Sequence, residues 1–255
     1  MKILSLASRY VRALLDLLLP RMCIVCGEKL LIDERHLCLE CLMNLPYTHF
    51  WERSHNPMAD KFNAVLQLRI DEGTLENERY SYACALFFYN NDTDFIHIPY
   101  QLKYHGNIPA GKIFGKILGM RIAESRHMRD IDLVLPVPLH WRRKWERGYN
   151  QAEVIAKEIA DTLETEMRND ILTRTRYTKT QTRKSIEEKA SNVEKAFAIG
   201  KRYQPSEAPS WKHILIVDDI FTSGSTAMAC YTALRSVFPP DVRISVATLG
   251  FVGRA

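Results

Sequence analysis

The sequence predicts an α/β protein in which helices flank a parallel sheet, preceded by a small cysteine-rich module. From residue 80 onward, segments of β-forming residues alternate with segments of helical periodicity, a pattern typical of a sheet covered on both faces. Two Cys-x-x-Cys pairs lie before that region, and one apolar strand ends in two adjacent aspartates. Together these features predict a soluble enzyme-like or ligand-binding protein.

Composition excludes several other classes of protein. The chain has 255 residues, of which 46% are hydrophobic and 25% charged, so it is not a disordered, collagen-like or membrane-bundle protein. The net charge of +5 is compatible with anionic ligands such as phosphates or nucleic acid, but establishes neither. Segment 11–19 is apolar, yet it is too short to span a bilayer and contains Arg12 and Asp16. We therefore expect a cytoplasmic protein without a membrane span.

The order of elements suggests three regions. Residues 1–50 form an N-terminal helix and the cysteine module, residues 51–79 a connector that could be partly helical, and residues 80–255 the α/β domain. The predicted strands are 80–89, 131–137, 213–217 and 242–251, and the predicted helices are 111–124, 150–163 and 225–238. Isolated Cys84 and Cys230 fall in apolar elements, where cysteine behaves as a small core residue.

The four clustered cysteines predict a structural zinc site. Eleven residues separate Cys26 from Cys38, so the two pairs form two tight turns that can supply four thiolates to a tetrahedral Zn²⁺. His36 is an alternative ligand, and redox-active cysteines are the alternative interpretation. Four sulfur ligands leave no position for a catalytic water. The predicted metal ligands are Cys23, Cys26, Cys38 and Cys41.

The segment 213–226 is the most informative part of the sequence. It contains a buried strand, then Asp218 and Asp219, then a loop of small residues that opens a helix. Amides at a helix N-terminus bind anions, Gly224 permits a close backbone approach, and neighbouring hydroxyls add donors. The two carboxylates can accept hydrogen bonds from a sugar diol, so the unit fits a sugar phosphate. The alternative is a capped helix with solvated aspartates. The candidate phosphate ligands are Thr222, Ser223, Gly224, Ser225 and Thr226.

Segment 214–226 resembles the phosphoribosyl pyrophosphate (PRPP) signature of type I phosphoribosyltransferases. Further stretches, together with the paired cysteines, are similar to the ComF family, a group of phosphoribosyltransferase-like proteins that includes GntX-type proteins and is often linked to natural competence. The resemblance covers nearly the whole chain, with the motifs in the expected order. These stretches are 102–106 (Leu-Lys-Tyr-His-Gly), 135–140 (Leu-Pro-Val-Pro-Leu-His), 147–152 (Arg-Gly-Tyr-Asn-Gln-Ala), 180–181 (Thr-Gln) and 192–197 (Asn-Val-Glu-Lys-Ala-Phe).

The resemblance implies a type I phosphoribosyltransferase fold and a role for each motif. Asp218 and Asp219 would be the catalytic acids that orient the ribose, with Mg²⁺ accompanying PRPP. The loop at 136–141 would hold the pyrophosphate, and a second loop at 174–192 would close over the site. Lys189 replaces the arginine usual in the family, which keeps the charge but not the bidentate geometry. The implied pyrophosphate and loop residues are Lys103, Pro138, His140, Arg142, Arg143, Arg147, Gln181 and Lys189.

Alternatives remain open for several of these side chains. Lys103 is as well explained as a surface lysine, His140 as an ordinary loop histidine, and each arginine as part of a solvated basic loop. Tyr149 is better interpreted as a packing residue.

Three functions are compatible with the sequence. The first is a phosphoribosyltransferase of unknown acceptor, acting in DNA uptake or nucleotide metabolism. The second is a non-catalytic protein that binds PRPP and single-stranded DNA, because residues 140–147 interleave aromatic and cationic side chains. The third is a zinc-dependent scaffold with a vestigial pocket. The resemblance further implies competence proteins as partners and a homodimer, although the sequence carries no interface signature.

Overall fold

The main sheet is parallel throughout. The computed structural model describes residues 18–90, 94–104, 106–175, 196–201, 203 and 211–253. Within them the sheet strands are β1 (Ala83–Phe88), β2 (Leu133–Pro136), β3 (Glu166–Met167), β6 (His213–Phe221) and β7 (Arg243–Phe251), and a separate antiparallel pair consists of β4 (Leu172–Arg174) and β5 (Phe197–Ile199). The five strands lie in the order β1-β7-β6-β2-β3, each parallel to its neighbours.

Helices cover both faces of this sheet. They are α1 (Leu39–Met43), α2 (Pro57–Asp71), α3 (His97–Tyr104), α4 (Ile108–Glu124), α5 (Trp141–Arg147), α6 (Gln151–Leu163) and α7 (Ser225–Arg235). Helices α2, α4 and α6 each follow an asparagine whose side chain accepts hydrogen bonds from the first turn, and α2 and α4 have proline at the start. Such caps explain why these helices begin where they do.

The chain connections place α6 and α7 on opposite faces. The chain passes from β2 through α6 to β3 in one direction along the sheet, and from β6 through α7 to β7 in the other. Because such crossovers are right-handed, the two helices cover opposite faces. Helix α6 packs on β2 and β6 together with α4, whereas α7 packs near α2 and the β4–β5 pair. The predicted α/β class, with helices flanking a parallel sheet, is confirmed.

Helices α4 and α6 approach each other closely because glycines line their contact. A Cβ atom added at Gly115 would lie 3.0 Å from the carbonyl oxygen of Ile155, and one at Gly119 would lie 2.9 Å from Cβ of Thr162. Larger side chains at these positions would therefore push α6 outward. Helix α6 begins after Asn150, whose Nδ2 donates to the carbonyl of Val137 at 3.0 Å, so its position is linked to the loop after β2.

The core is built from consecutive buried strand residues. In β1, residues 83–87 are almost fully buried, as expected for a parallel strand covered on both faces. Cys84 and Cys230 are both fully buried, which confirms their interpretation as core residues. Segment 51–79, predicted as a connector, contains α2, and this helix buries Met58 and Phe62 completely.

At the amino ends of the strands, His213 joins β6 to its surroundings through both ring nitrogens. Nδ1 lies 2.9 Å from Asp130 Oδ1, and Nε2 lies 2.8 Å from the hydroxyl oxygen of Ser245 on β7. The ring is 2% exposed and Ser245 is fully buried. Burial lowers the pKa of His213 despite the attraction of Asp130, so the neutral imidazole is the favoured form.

Candidate functional site

The predicted site lies where the direction of strand order reverses, between β2 and β6. Pairing of β2 with β6 ends at Pro136 and Val217, whereas β6 continues along β7 as far as Phe221. The side of β6 that faces β2 is therefore open from Asp218 onward. Ligands of open α/β sheets bind in such a crevice, beyond the carboxyl ends of the strands.

The acidic pair lies at the mouth of this crevice and is contacted by a lysine. Asp219 is 8% exposed, and the Nζ atom of Lys103 on α3 lies 2.7 Å from its Oδ2 atom. The backbone N–H of Asp219 donates to Oδ1 of Asp218 at 2.8 Å. Lys103, which the resemblance associated with the pyrophosphate, thus lies against the acids, and its role toward a ligand stays a prediction.

Electrostatics in the crevice make Asp218 a weak acid. Burial of the carboxyl and the neighbouring charge of Asp219 raise the pKa of Asp218 to about 7, although the N–H of Asp219 and the ammonium of Lys103 act in the opposite direction. Burial disfavours the charged form of Lys103, but attraction to Asp219 outweighs it, so the pKa of Lys103 is raised. The pair therefore takes up a proton near neutral pH, as closely spaced carboxyl groups do.

The loop after β6 has the form expected of an anion site. Gly224 has φ of +82°, and a Cβ there would lie 2.9 Å from the Phe221 ring, so both its conformation and its space require glycine. The hydroxyls of Ser223 and Ser225 are 2.8 Å apart, while Thr226 is half-buried in the first turn of α7. Within the described part of the chain, the backbone amides of residues 222–224 have no hydrogen-bond partner.

The loop after β2 forms the facing wall of the crevice. Pro138 is half-buried, and His140 is 6% exposed because it caps α5, its Nδ1 accepting from the backbone N–H of Arg142 at 3.3 Å. The side-chain amide of Asn150 donates to the carbonyl of Val137 and so anchors this loop. Burial, with the charges of Arg142, Arg174 and Arg143, lowers the pKa of His140. A neutral imidazole surrounded by cations leaves a positive field in this part of the site.

The three predicted arginines lie on helix α5 or at its end, not in an irregular loop. Arg142 stacks on the ring of Trp141, with 5.2 Å between the guanidinium carbon and the ring centroid. Arg147 donates to the side-chain oxygen of Gln151 at 3.1 Å. Arg143 is half-buried and acts electrostatically on His140. The predicted residues Gln181 and Lys189 lie outside the described residues, so their role stays a prediction.

Two cations that the sequence did not single out lie near the crevice, one of them at the first position of the predicted loop 174–192. Arg174, at the end of β4, stacks on Phe197 at 5.2 Å; burial and the charge of Arg143 lower its pKa, while Asp218 opposes the change. Lys61 on α2 donates from Nζ to the carbonyl oxygen of Thr222 at 2.6 Å. Neither residue belongs to a recognisable motif, and only the folded chain brings them to the site.

Two concave surfaces lie outside the crevice. One has a volume of about 440 Å³ and runs between α4, α6 and β3, past Tyr149, Val154 and Met167. The other, of about 410 Å³, is lined by Trp141, Lys144, Trp145 and Gly148. Neither of these two surfaces is lined by Asp218 or Asp219. Tyr149 also donates its hydroxyl to the carbonyl of Leu102, next to Lys103.

The four cysteines of the N-terminal module come together as predicted. Their sulfur atoms all lie within 4.8 Å of one another, and Sγ of Cys26 is 3.7 Å from Sγ of Cys38. Sulfurs bound to a tetrahedral zinc at about 2.3 Å would be roughly 3.8 Å apart. The N–H groups of Cys38 and Cys41 point at sulfurs of Cys23 and Cys38, both at 3.4 Å. The cluster therefore fits a structural zinc ion, and His36 is not part of it among the described residues.

Comparison with known proteins supports the resemblance seen in the sequence. No family model matches the chain. Competence protein F of Haemophilus influenzae is 25% identical over 147 residues, which cover 56% of this chain and 63% of that protein. DNA utilization protein YhgH of Escherichia coli K12 is 29% identical over 130 residues, covering 50% of this chain and 55% of that protein. The matched stretch thus spans less than two thirds of either relative. These relatives confirm the predicted resemblance to the ComF family.

A likeness to a solved structure was also found. The structure described as that of the allosteric regulatory enzyme of purine biosynthesis shares 20% identity, with a TM-score of 0.34, over 55% of this chain and 25% of that chain. The sheet order and strand pairing of this protein define its fold without reference to that structure. Within the described ranges, no helix combines the length and apolar character needed to cross a membrane.

Proposed function

We propose that this protein binds PRPP at the β2–β6 crevice and is a phosphoribosyltransferase-like protein of DNA uptake or nucleotide metabolism. The observation that carries the proposal is the placement of two carboxyl groups beside a loop with open amides at the strand-order switch. Carboxylates suit the ribose diol, and open amides suit a phosphate. The names of the relatives, competence protein F and DNA utilization protein, support the proposed context.

Each part of PRPP has a proposed partner in the crevice. The 5′-phosphate would bind the amides and hydroxyls of residues 222–226, and the ribose hydroxyls would bind Asp218 and Asp219. The pyrophosphate would lie against the loop after β2, where Arg143 and Arg174 supply positive charge. Mg²⁺ bound with the diphosphate would neutralise part of its charge.

The proposed reaction breaks the bond between ribose C1 and pyrophosphate and forms a bond from C1 to an acceptor nucleophile. Positive charge develops on the ribose and negative charge on the leaving group, so carboxylates near the ribose and arginines near the diphosphate stabilise both changes. Lys103 contacts Oδ2 of Asp219, so a ribose hydroxyl that binds this oxygen would displace the ammonium, whereas Oδ1 can accept from a hydroxyl with the ion pair kept.

Calorimetric titration of the zinc-loaded protein with PRPP and Mg²⁺ tests this proposal. We expect saturable binding at one site per chain, and much weaker binding of ribose without phosphate. Absence of heat and of thermal protection with PRPP would exclude the proposal. Pyrophosphate release in the presence of purine, pyrimidine or amine acceptors then distinguishes an enzyme from a binding protein.

A specific observation favours the second candidate function, binding of single-stranded DNA. Trp141 is 66% exposed and Trp145 is 86% exposed, both on α5 beside Lys144. Bases stack on exposed aromatic rings, and neighbouring cations bind the phosphates. This surface adjoins the crevice but does not include the acidic pair, so both functions can coexist in one protein.

Fluorescence anisotropy with a short single strand tests this candidate. Binding should weaken as salt rises, and Trp145→Ala should weaken it about five-fold or more, whereas Trp145→Phe retains an aromatic face and much of the affinity. No binding at low salt would exclude it. Competence proteins as partners, a homodimer and a cytoplasmic location are further proposals that follow from the resemblance.

A further inference from the structure

We propose that Lys61 is a positioning residue for the loop 222–226, which makes helix α2 part of the ligand site. This inference rests on the proposed function, because that loop is where the 5′-phosphate would bind. Lys61 lies in the segment 51–79, to which the sequence assigned only a connecting role. In the folded chain its ammonium contacts the loop across a sequence separation of 161 residues.

The contact fixes the direction of one peptide group in the loop. Nζ of Lys61 donates to the carbonyl oxygen of Thr222 at 2.6 Å. A trans peptide is planar, so its carbonyl and its N–H point in opposite directions. The N–H of Ser223 therefore points away from Lys61. That N–H has no partner among the described residues, which leaves it available to a phosphate oxygen.

Packing beside Lys61 holds α2 in place against the loop. The ring of Phe62 contacts Phe221, the last residue of β6, with 6.4 Å between centroids, and Tyr231 on α7 with 5.8 Å. Phe62 is fully buried, and Phe221 in turn confines Gly224. The elements before and after the loop thus pack on one residue of α2, and the next residue toward the N-terminus holds the loop itself.

Electrostatics add to the geometric role. Lys61 is exposed and carries its charge at the edge of a loop proposed to hold a doubly negative phosphate. Removal of Lys61 should therefore affect the phosphate end of the ligand more than the pyrophosphate end.

Variants titrated with three probes test the proposal. Lys61→Ala should weaken binding of PRPP and of ribose 5-phosphate by about three- to ten-fold, the net effect of one ordinary hydrogen bond, because Lys61 acts on the ligand only through the loop. Binding of inorganic pyrophosphate should be unchanged. Lys61→Arg should restore most of the affinity. Lys116→Ala, which removes one exposed charge from α4, is the matched control and should bind like the wild type.

A measurement on the ligand-free protein separates this inference from the proposed function. The heteronuclear NOE of the Ser223 amide should fall in Lys61→Ala and not in Lys116→Ala, because the peptide loses its anchor. If wild-type protein does not bind PRPP, the proposed function is excluded, and the NOE still decides the role of Lys61. Unchanged NOE values, or an equal loss of pyrophosphate binding in Lys61→Ala, would overturn the inference.

Discussion

The two ends of strand β6 carry polar clusters of opposite character. At the amino end, both ring nitrogens of His213 have partners within hydrogen-bond distance, Asp130 and Ser245. At the carboxyl end, Asp218 and Asp219 lie side by side, and the amides of the following loop have no partner in the described part of the chain. The polar groups of His213 at the start of this strand therefore have partners within the protein, whereas the loop amides after its end have none among the described residues.

This difference between the two ends of β6 indicates where a ligand is expected to bind. Buried polar groups that stabilise a fold are normally paired within the protein, since an unpaired group costs about 1–3 kcal/mol. The His213 cluster meets that condition and so needs nothing from outside. At the carboxyl end Asp218 and Asp219 repel each other, and the amides of residues 222–224 have no protein partner among the described residues. A ligand with hydroxyls and a phosphate can therefore bind here in place of water.

Removal of both carboxylates at the carboxyl end of β6 should have the largest effect, a loss of PRPP affinity. The double variant Asp218→Asn with Asp219→Asn loses two charged hydrogen-bond acceptors for the ribose, each worth about 2 kcal/mol, so PRPP affinity should fall roughly 1,000-fold. Calorimetry measures the loss, and circular dichroism should show an unchanged fold. If cells that carry the double variant keep full DNA uptake, the crevice is vestigial and the scaffold interpretation gains support.

Replacement of His213 should lower the stability of the protein and leave PRPP affinity almost unchanged. His213→Ala removes the link between β6, Asp130 and Ser245, so the free energy of unfolding should fall by about 2–3 kcal/mol. Urea unfolding measures this change. PRPP affinity at a temperature where the variant is folded should change less than two-fold. A variant with wild-type stability but weak PRPP binding would contradict the assignment of a structural role to the amino end.

A smaller effect is expected in the pH dependence of the free energy of unfolding, which Asp218 at the carboxyl end of β6 should change. An unfolded aspartate has a pKa near 4, whereas Asp218 in the folded protein has a pKa raised to about 7. The folded state thus holds a proton that the unfolded state has released, and stability is lost as pH rises from about 4 to 7. Three pKa units correspond to about 4 kcal/mol as an upper bound, which half-buried Asp218, sharing its proton with Asp219, does not reach. Asp218→Asn removes the loss, so its stability relative to wild type should be about 1–2 kcal/mol greater at pH 8 than at pH 4.

Thermal unfolding of Asp218→Asn and wild type across this pH range measures the difference. Asp161→Asn, at an exposed helical ion pair, is a suitable control and should show no such pH dependence. Equal curves for wild type and Asp218→Asn would mean that the acidic pair is solvated and unstrained.

Local patterns in the sequence were enough to predict the alternating helices and strands of the α/β domain, but not the full length of β6. Periodicity placed the helices near residues 108–124, 151–163 and 225–235 within a few positions. Strand β6 was predicted to end at Val217, because the aspartates interrupt its apolar run. Backbone pairing with β7, which no side-chain pattern reports, carries it to Phe221.

The chemistry of the candidate site was predictable where it is encoded in contiguous residues. The acids, the small-residue loop and the paired cysteines each form a local motif. Lys61 was not predicted, and Arg174 was included only as the first residue of the predicted loop 174–192, because each reaches the site from a separate segment through tertiary packing. Lys103 was predicted to serve the pyrophosphate, yet its partner in this structure, Asp219, depends on how α3 packs over the sheet.

The shape of the crevice depends on the distance between helices α4 and α6, although neither helix carries the acidic pair. One added methyl group at Gly115 would meet the backbone of α6, and α6 carries Asn150, which anchors the loop after β2. Displacement of a helix on the outer layer would thus shift one wall of the crevice while its acids stay intact. Gly115→Ala should accordingly alter the proposed ligand site from a distance, without any change to Asp218, Asp219 or the loop 222–226.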